Sequence, residues 1–438
     1  MSLVLKSTIN KTNYFSLLLA LFPIAFVAGN MIINLNIIII IFSCLFLYKK
    51  HIFQIKYYFL DILILIFFSL VLFAGFLNDY SFYLRGINWR GNFSTIIVSI
   101  LFLKYLILYI SLRFLTEKNI LNFKLFFISC LFVTLFVSID IFYQLYNGKD
   151  IFGYESIGFG RKLSGPFGDE LIAGGFIQRF SVFSFFLFPI FYYEKSRKYS
   201  KFLIPILFFI FSFGIILSGN RMPLILFIFT IFLIFIFNKK IRGYLLSFFI
   251  IFSLIFFLTF KFNNKVRNNF LTFQSQIFKI IIVLNEKNIN QSNTPQYLKE
   301  FSTFYETWKM HKYFGGGIKN FRYYCHERPN IYINSKFICN MHPHNYYLEI
   351  LTETGVVGFI IILSIFTTIL YLSFYKKYFT NTILKNNNLI VPFIFLFIAE
   401  IFPIKSTGSF FTTGNTTYLI ILMAIIVGLM RRENFIEK

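Results

Sequence analysis

The chain has 438 residues, of which 57% are hydrophobic and 14% charged, with a mean hydropathy of +0.70. A soluble domain carries about 25% charged residues, so the composition excludes an ordinary globular protein and points to one built for a bilayer. The net charge of +24 does not indicate nucleic acid: roughly half of the lysines and arginines fall on one side of the apolar runs, the positive-inside pattern of a membrane protein.

Apolar runs of about 17–25 residues, the length that crosses a bilayer as a helix, recur along the chain. Twelve spans are expected, at roughly 14–28, 31–48, 57–77, 94–114, 123–146, 171–193, 202–219, 221–238, 243–260, 354–375, 389–403 and 415–430. The first two, broken at Gly29-Asn30, read as a helical hairpin rather than a cleaved export signal. Lys49-Lys50, Arg113 with Lys118, Lys195-Ser196-Arg197-Lys198, Lys239-Lys240, Lys376-Lys377 and Arg431-Arg432 all fall on one face, which the positive-inside rule makes the cytoplasm. Both termini are then cytoplasmic. Loops 78–93, 147–170, 218–222, 261–353 and 403–415 lie outside. The expected fold class is an all-α polytopic membrane protein of about twelve transmembrane helices: N-terminal helices over 1–260, one large periplasmic loop subdomain over 261–353 and C-terminal helices over 354–438.

Loop 147–170 is rich in glycine, including Gly165 and Gly168, and carries Arg161-Lys162. Glycine lets backbone approach a ligand closely, although a plain turn-rich connector has the same composition. Arg221 opens a span with Pro223 just inside it. First-turn amides and the helix dipole favour an anion there, and a guanidinium fork adds to that; the alternative is an arginine that snorkels to the interface. Within the large loop, residues 262–284 read as an amphipathic helix along the interface. Residues 297–313 read as a second helix, with Tyr297, Phe301, Phe304, Tyr305 and Trp308 close to one stripe. Cys325 and Cys339 either pair in an oxidising compartment, which would pin the chain before His342, or remain free thiols. Lys104, Asp140, Arg179 and Glu400 lie inside spans. Such charges face a partner or a cavity, and Glu400 has Lys104 or Arg179 as candidate partners. His342, His344 and Asn345 stand where the longest polar segment runs back into an apolar helix. A histidine there suits a general base, because its ordinary pKa lies near neutrality. Walker, dinucleotide, zinc and Asp-x-Asp patterns are missing, which disfavours ATP-driven transport and metal-dependent transfer from nucleotide sugars.

Taken in order, several motifs resemble a known family. They are Gln144-x-x-x-Gly148-x-Asp150-x-x-Gly153, Arg161 before Ser164-Gly165-Pro166-Phe167-Gly168, and Ser218-Gly219-Asn220-Arg221. Gly315-Gly316-Gly317-Ile318-Lys319-Asn320-Phe321, His344-Asn345 followed by Gly355-x-x-Gly358, and Pro403-Ile404-Lys405-Ser406-Thr407-Gly408 come after them. Over roughly residues 130–430 this resembles the O-antigen ligase and polymerase superfamily of bacterial inner-membrane glycosyltransferases. The resemblance implies a C-type glycosyltransferase architecture with its active site on the periplasmic face and neither metal nor cofactor. The implied donor is an undecaprenyl-diphosphate-linked glycan, and the implied acceptor is lipid A–core or another glycan. His344 maps onto the family's base, with His342 as the rival. Arg221 and Arg161 are the implied cations for the leaving diphosphate. Asn345, Lys162, Gly165, Asn320 and His342 are implied around the substrate. Ligation is the leading expectation. Polymerisation and transfer to protein are the alternatives within the family. A lipid-glycan transporter, which would show internal symmetry, is the alternative outside it.

Overall fold

The computed structural model describes residues 2–86, 94–155, 162–285, 296–328, 338–339, 342–380, 388–406 and 408–434. Among these the secondary structure is helical, apart from one isolated bridge between Lys149 and Glu155. The N-terminal helices are α1 (Ser2–Ala20), α2 (Phe22–Ala28), α3 (Asn30–Tyr48), α4 (Phe59–Leu84), α5 (Ser94–Phe102), α6 (Lys104–Glu117) and α7 (Phe123–Asn147). Next come α8 (Ala173–Phe191), α9 (Tyr193–Ser218), α10 (Arg221–Phe237), α11 (Lys239–Phe262) and α12 (Asn264–Asn285). Then follow α13 (Gln296–Trp308), α14 (Phe321–Tyr324), α15 (Tyr346–Leu370), α16 (Lys376–Phe379), α17 (Val391–Glu400) and α18 (Thr413–Asn434).

Among the described residues, eight helical stretches are long and apolar enough to cross a membrane, or nine if Phe249–Phe262 and Asn264–Lys279, bent by 101°, form one span. Twelve were expected. The shorter apolar helices Phe202–Ser218, Arg221–Phe237 and Val391–Glu400 stand at three of the other expected positions. The chain is therefore a multi-pass membrane protein. Its core is one continuous apolar cluster, with α18 packed against α6 and α17 and almost wholly enclosed.

The charged side chains of Arg113, Lys104 and Asp140 inside this apolar mass have partners, as low-dielectric surroundings require. Arg113 of α6 is fully buried, 2.5 Å from Asp61 of α4 and 3.4 Å from Glu117. Tyr109 donates to the same Asp61. Lys104 donates to Asn34. Near the end of α7, Asp140 accepts the amide of Ile151. Gln144 donates to the Tyr154 carbonyl and to Ser164, and accepts the amide of Gly165. These two α7 side chains hold the glycine-rich loop down.

α15 is broken where its sequence reads as continuous. Gly355 lies at φ +68°, ψ −173°, a conformation that L side chains rarely adopt. Such a break frees backbone groups that must find partners within the protein. The segment before the break in α15's partner loop supplies them. Gly316 and Gly317 donate to the carbonyls of Thr352 and Glu353 at 3.0 and 2.9 Å, and Val356 and Val357 donate to those of Lys312 and Tyr313 at 2.9 and 3.2 Å. The fit is close enough that a Cβ on Gly315 would lie 2.2 Å from the carbonyl carbon of Glu353. Cys325 and Cys339 are joined by a disulfide. Cys325 packs with Phe304, Phe321 and Tyr324 in a second, smaller apolar cluster. α13, the turn at Gly315 and, through the disulfide, Cys339 are thereby fixed onto α15.

Candidate active site

The polar stretch before α15 ends in a helix cap. Asn345 is the N-cap residue, and its Oδ1 accepts the amides of Tyr347 and Leu348 at 3.0 and 3.1 Å. Two of the orphan donors of the first turn are satisfied in this way. Its Nδ2 donates to the Pro403 carbonyl at 2.8 Å, tying the start of α15 to the loop after α17. His344, one residue earlier, has φ +53° and is half-buried. The rings of His342 and His344 meet edge to face, with centroids 4.3 Å apart. Burial, and secondarily the neighbouring His344, lower the His342 pKa to about 4, so its imidazole is neutral at neutral pH.

Both histidines line a large open cavity of about 1680 Å³. Arg221 and Lys162 line the same cavity. Arg221 occupies the first position of α10, behind Asn220 as N-cap. Its Nε and Nη2 donate to Oδ1 of Asn269 at 3.1 and 2.6 Å, and its Nη1 donates to Oε1 of Gln276 at 3.0 Å. The guanidinium also lies 5.3 Å from the ring centroid of Phe273. These partners come from α12, whose amphipathic pattern turns Asn269, Phe273 and Gln276 towards the cavity. Asn220 accepts the Gly174 amide and donates to the Leu171 carbonyl, fixing the short turn that carries Arg221.

The other expected site residues have different positions. Asn345 caps the helix, as described. Asn320 is buried and donates to the Gly316 carbonyl at 2.9 Å; it braces the glycine turn and is not on the cavity wall. Gly165 is buried against Ile141 and Asp140 of α7, while its successors Pro166, Phe167 and Gly168 reach the wall. Arg161 lies outside the described residues.

The cavity wall also carries Arg179, an intramembrane charge expected to face either a partner or a cavity, and Lys405, with Glu400 behind them. Glu400, at the end of α17 and fully buried, takes both Arg179 and Lys405. Arg179 of α8 donates from Nη2 to Oε1 at 2.7 Å and from Nε to Oε2 at 3.2 Å, and a further bond from Nη2 reaches Asn415 of α18 at 2.6 Å. Lys405 lies 2.5 Å from Glu400 Oε1 and 3.0 Å from the hydroxyl of Tyr346, which itself donates to Glu400 at 2.6 Å. Burial brings the Lys405 ammonium down to about 7, with Glu400 opposing that shift and Arg179 reinforcing it. The intramembrane position of Arg179 and Glu400 was the available signal, and their pairing was one of the expected ones. Lys405 stands within the Pro403–Gly408 motif, which marks the loop but gives the lysine no role of its own.

Residues 206–363 match the family model described as O-antigen ligase, which supports the O-antigen ligase superfamily that the motifs resemble. Arg221, Asn269, Gln276, His342, His344 and the broken α15 up to Gly358 fall inside the matched stretch; Lys162, Arg179, Glu400 and Lys405 fall outside it. No curated protein matches the chain.

Proposed function

We propose, from the premise that residues 206–363 are of O-antigen ligase type, that the protein is an inverting glycosyltransferase of the bacterial inner membrane. It moves a glycan from undecaprenyl diphosphate to a sugar hydroxyl, with lipid A–core as the leading acceptor. In this reading the three shorter apolar helices join the longer ones to make twelve spans. Both termini are cytoplasmic, and the cavity opens to the periplasm, with the segment between α11 and α15 as its large loop.

The observation that carries the reading is that His344 and Arg221 line one cavity. The acceptor hydroxyl must lose a proton as it attacks the anomeric carbon, and His344 takes it as general base. The bond from that carbon to the diphosphate oxygen breaks, and negative charge collects on the leaving group. Arg221 meets that charge with a guanidinium already oriented by Asn269 and Gln276, so little reorganisation is needed at the moment of transfer. Attack opposite the leaving diphosphate inverts the anomeric centre. Lys162 adds positive charge on the same wall, and no metal is needed for this division of labour. His342, neutral beside His344, accompanies the base rather than replacing it.

The test is transfer by purified protein from a defined lipid-diphosphate glycan. His344→Ala should fold and lose on the order of 10²–10⁴-fold in rate, the usual contribution of a positioned base, and Arg221→Ala should be similarly impaired. Normal turnover by either folded variant would overturn its role. Supplying lipid-linked glycan, lipid A–core or protein as alternative acceptors, and reading a single product against a size ladder, separates ligase, polymerase and protein transferase.

A further inference from the structure

We infer that Arg179 and Lys405, sharing the single carboxylate of Glu400, form a second phosphate-binding subsite on the cavity wall, distinct from Arg221. Arg179 and Lys405 converge on one carboxylate, so with Lys405 protonated and Tyr346 a neutral hydroxyl the cluster carries one positive charge in excess. Lys405 is 4% exposed and Glu400 0%, where an uncompensated charge is costly. A structural ion pair in such surroundings needs one cation for its carboxylate. The second cation makes sense when an anion completes the set.

The hydrogen bonds point the same way. Both Glu400 oxygens are occupied by Arg179, Lys405 and Tyr346. Lys405 spends two of its three ammonium protons on Glu400 and the Tyr346 hydroxyl. Arg179 spends Nε and Nη2 on Glu400 and Asn415, leaving its Nη1 donors without a protein acceptor among the described residues. Both side chains line the cavity, so these remaining donors serve a ligand there.

The position also has consequences for the reaction. Tyr346 follows His344 by two residues, and Asn345 between them holds the Pro403 carbonyl, two residues before Lys405. The subsite and the candidate base are therefore joined by short lengths of backbone on one wall, while Arg221 is held from α12. Two sources offer the phosphate: the diphosphate of the lipid-linked donor or a phosphorylated sugar on the acceptor. The inference rests on the transferase reading only for naming those sources.

The experiment measures binding rather than transfer, using full-length protein in phosphatidylcholine nanodiscs with two probes, geranylgeranyl diphosphate and glucose 6-phosphate. Lys405→Met should weaken at least one probe by roughly tenfold or more, the range for a lost charge-assisted hydrogen bond, and Lys405→Arg should restore most of it. The weakened probe identifies the source. Glu400→Gln provides the opposite sign: it adds net positive charge and should tighten the same probe severalfold, whereas a purely structural cluster would lose binding. Unchanged affinity for both probes in folded Lys405→Met overturns the subsite, as does weaker binding in folded Glu400→Gln if Lys405→Met does not fold. Binding through Lys405 by a protein that transfers no glycan would sink the transferase reading and leave the subsite standing.

Discussion

Asn345 is the residue at which a substrate contact and a structural role make different predictions. Replacing it by alanine removes three hydrogen bonds at once: two to the first-turn amides of α15 and one to the Pro403 carbonyl. Loss of an N-cap side chain costs about 1 kcal/mol, and loss of the bond to the carbonyl of the exposed Pro403 costs about 0.5–1.5 kcal/mol more. Asn345→Ala should therefore lose about 1.5–2.5 kcal/mol of stability. It should also release His344, which sits in the left-handed region immediately before the cap, and lower transfer by roughly 10²-fold through misplacement of the base. Asn345→Asp is the informative companion. Its carboxylate still accepts from Tyr347 and Leu348, and it gains from the helix dipole, but it cannot donate to Pro403. It should fall between alanine and the natural residue in stability. Thermal unfolding of the purified protein, read beside transfer from a lipid-diphosphate glycan, tests both. If Asn345→Ala unfolds at the natural temperature and yet loses transfer, the residue acts on substrate and the capping argument is refuted.

Other consequences are equally direct. Gly355→Ala puts a side chain at positive φ, costing about 1–2 kcal/mol, and its Cβ would lie 2.1 Å from the Tyr313 carbonyl oxygen; a total loss above about 3 kcal/mol, seen in chemical or thermal unfolding, is expected. Asn269→Asp replaces a neutral acceptor of the Arg221 guanidinium with a carboxylate, so the protein should remain folded while transfer falls by about tenfold or more; full activity would show that Arg221 does not act through its charge. His342 has its folded pKa lowered to about 4 from the usual 6.5, so between those values the unfolded chain binds a proton that the folded chain does not. Stability should fall as pH drops through that window and be insensitive to this group below it; His342→Gln should flatten that slope in unfolding measurements across pH 4–7.

Runs of apolar residues made the helices legible, because the bilayer demands a fixed length of apolar chain whatever surrounds it. Among the described residues the same rule separates eight or nine spans from the twelve expected: the apolar stretches Phe202–Ser218 of α9, α10 and α17 are each shorter than the usual length that crosses a bilayer. The break in α15 was not legible, since Gly355 sits in a run that reads as helix; what forces it open is the docking of Lys312 to Gly317, a contact between segments that sequence periodicity does not see. The motif residues divided for a similar reason. Arg221 and His344 carry long or ring-bearing side chains that reach a cavity, whereas Gly165 packs under α7 against Ile141 and Gln144 and Asn320 bonds the backbone of the glycine turn. Arg179 and Glu400 were legible as intramembrane charges in need of partners, yet their partnership spans 221 positions, and the inclusion of Lys405 depends on how the loop after α17 folds back over Tyr346. That loop is held by Asn345 through Pro403. The residue that caps the base-bearing helix thus also positions the lysine, which is why a change at Asn345 should disturb both walls of the cluster while Arg221, anchored on α12, keeps its place.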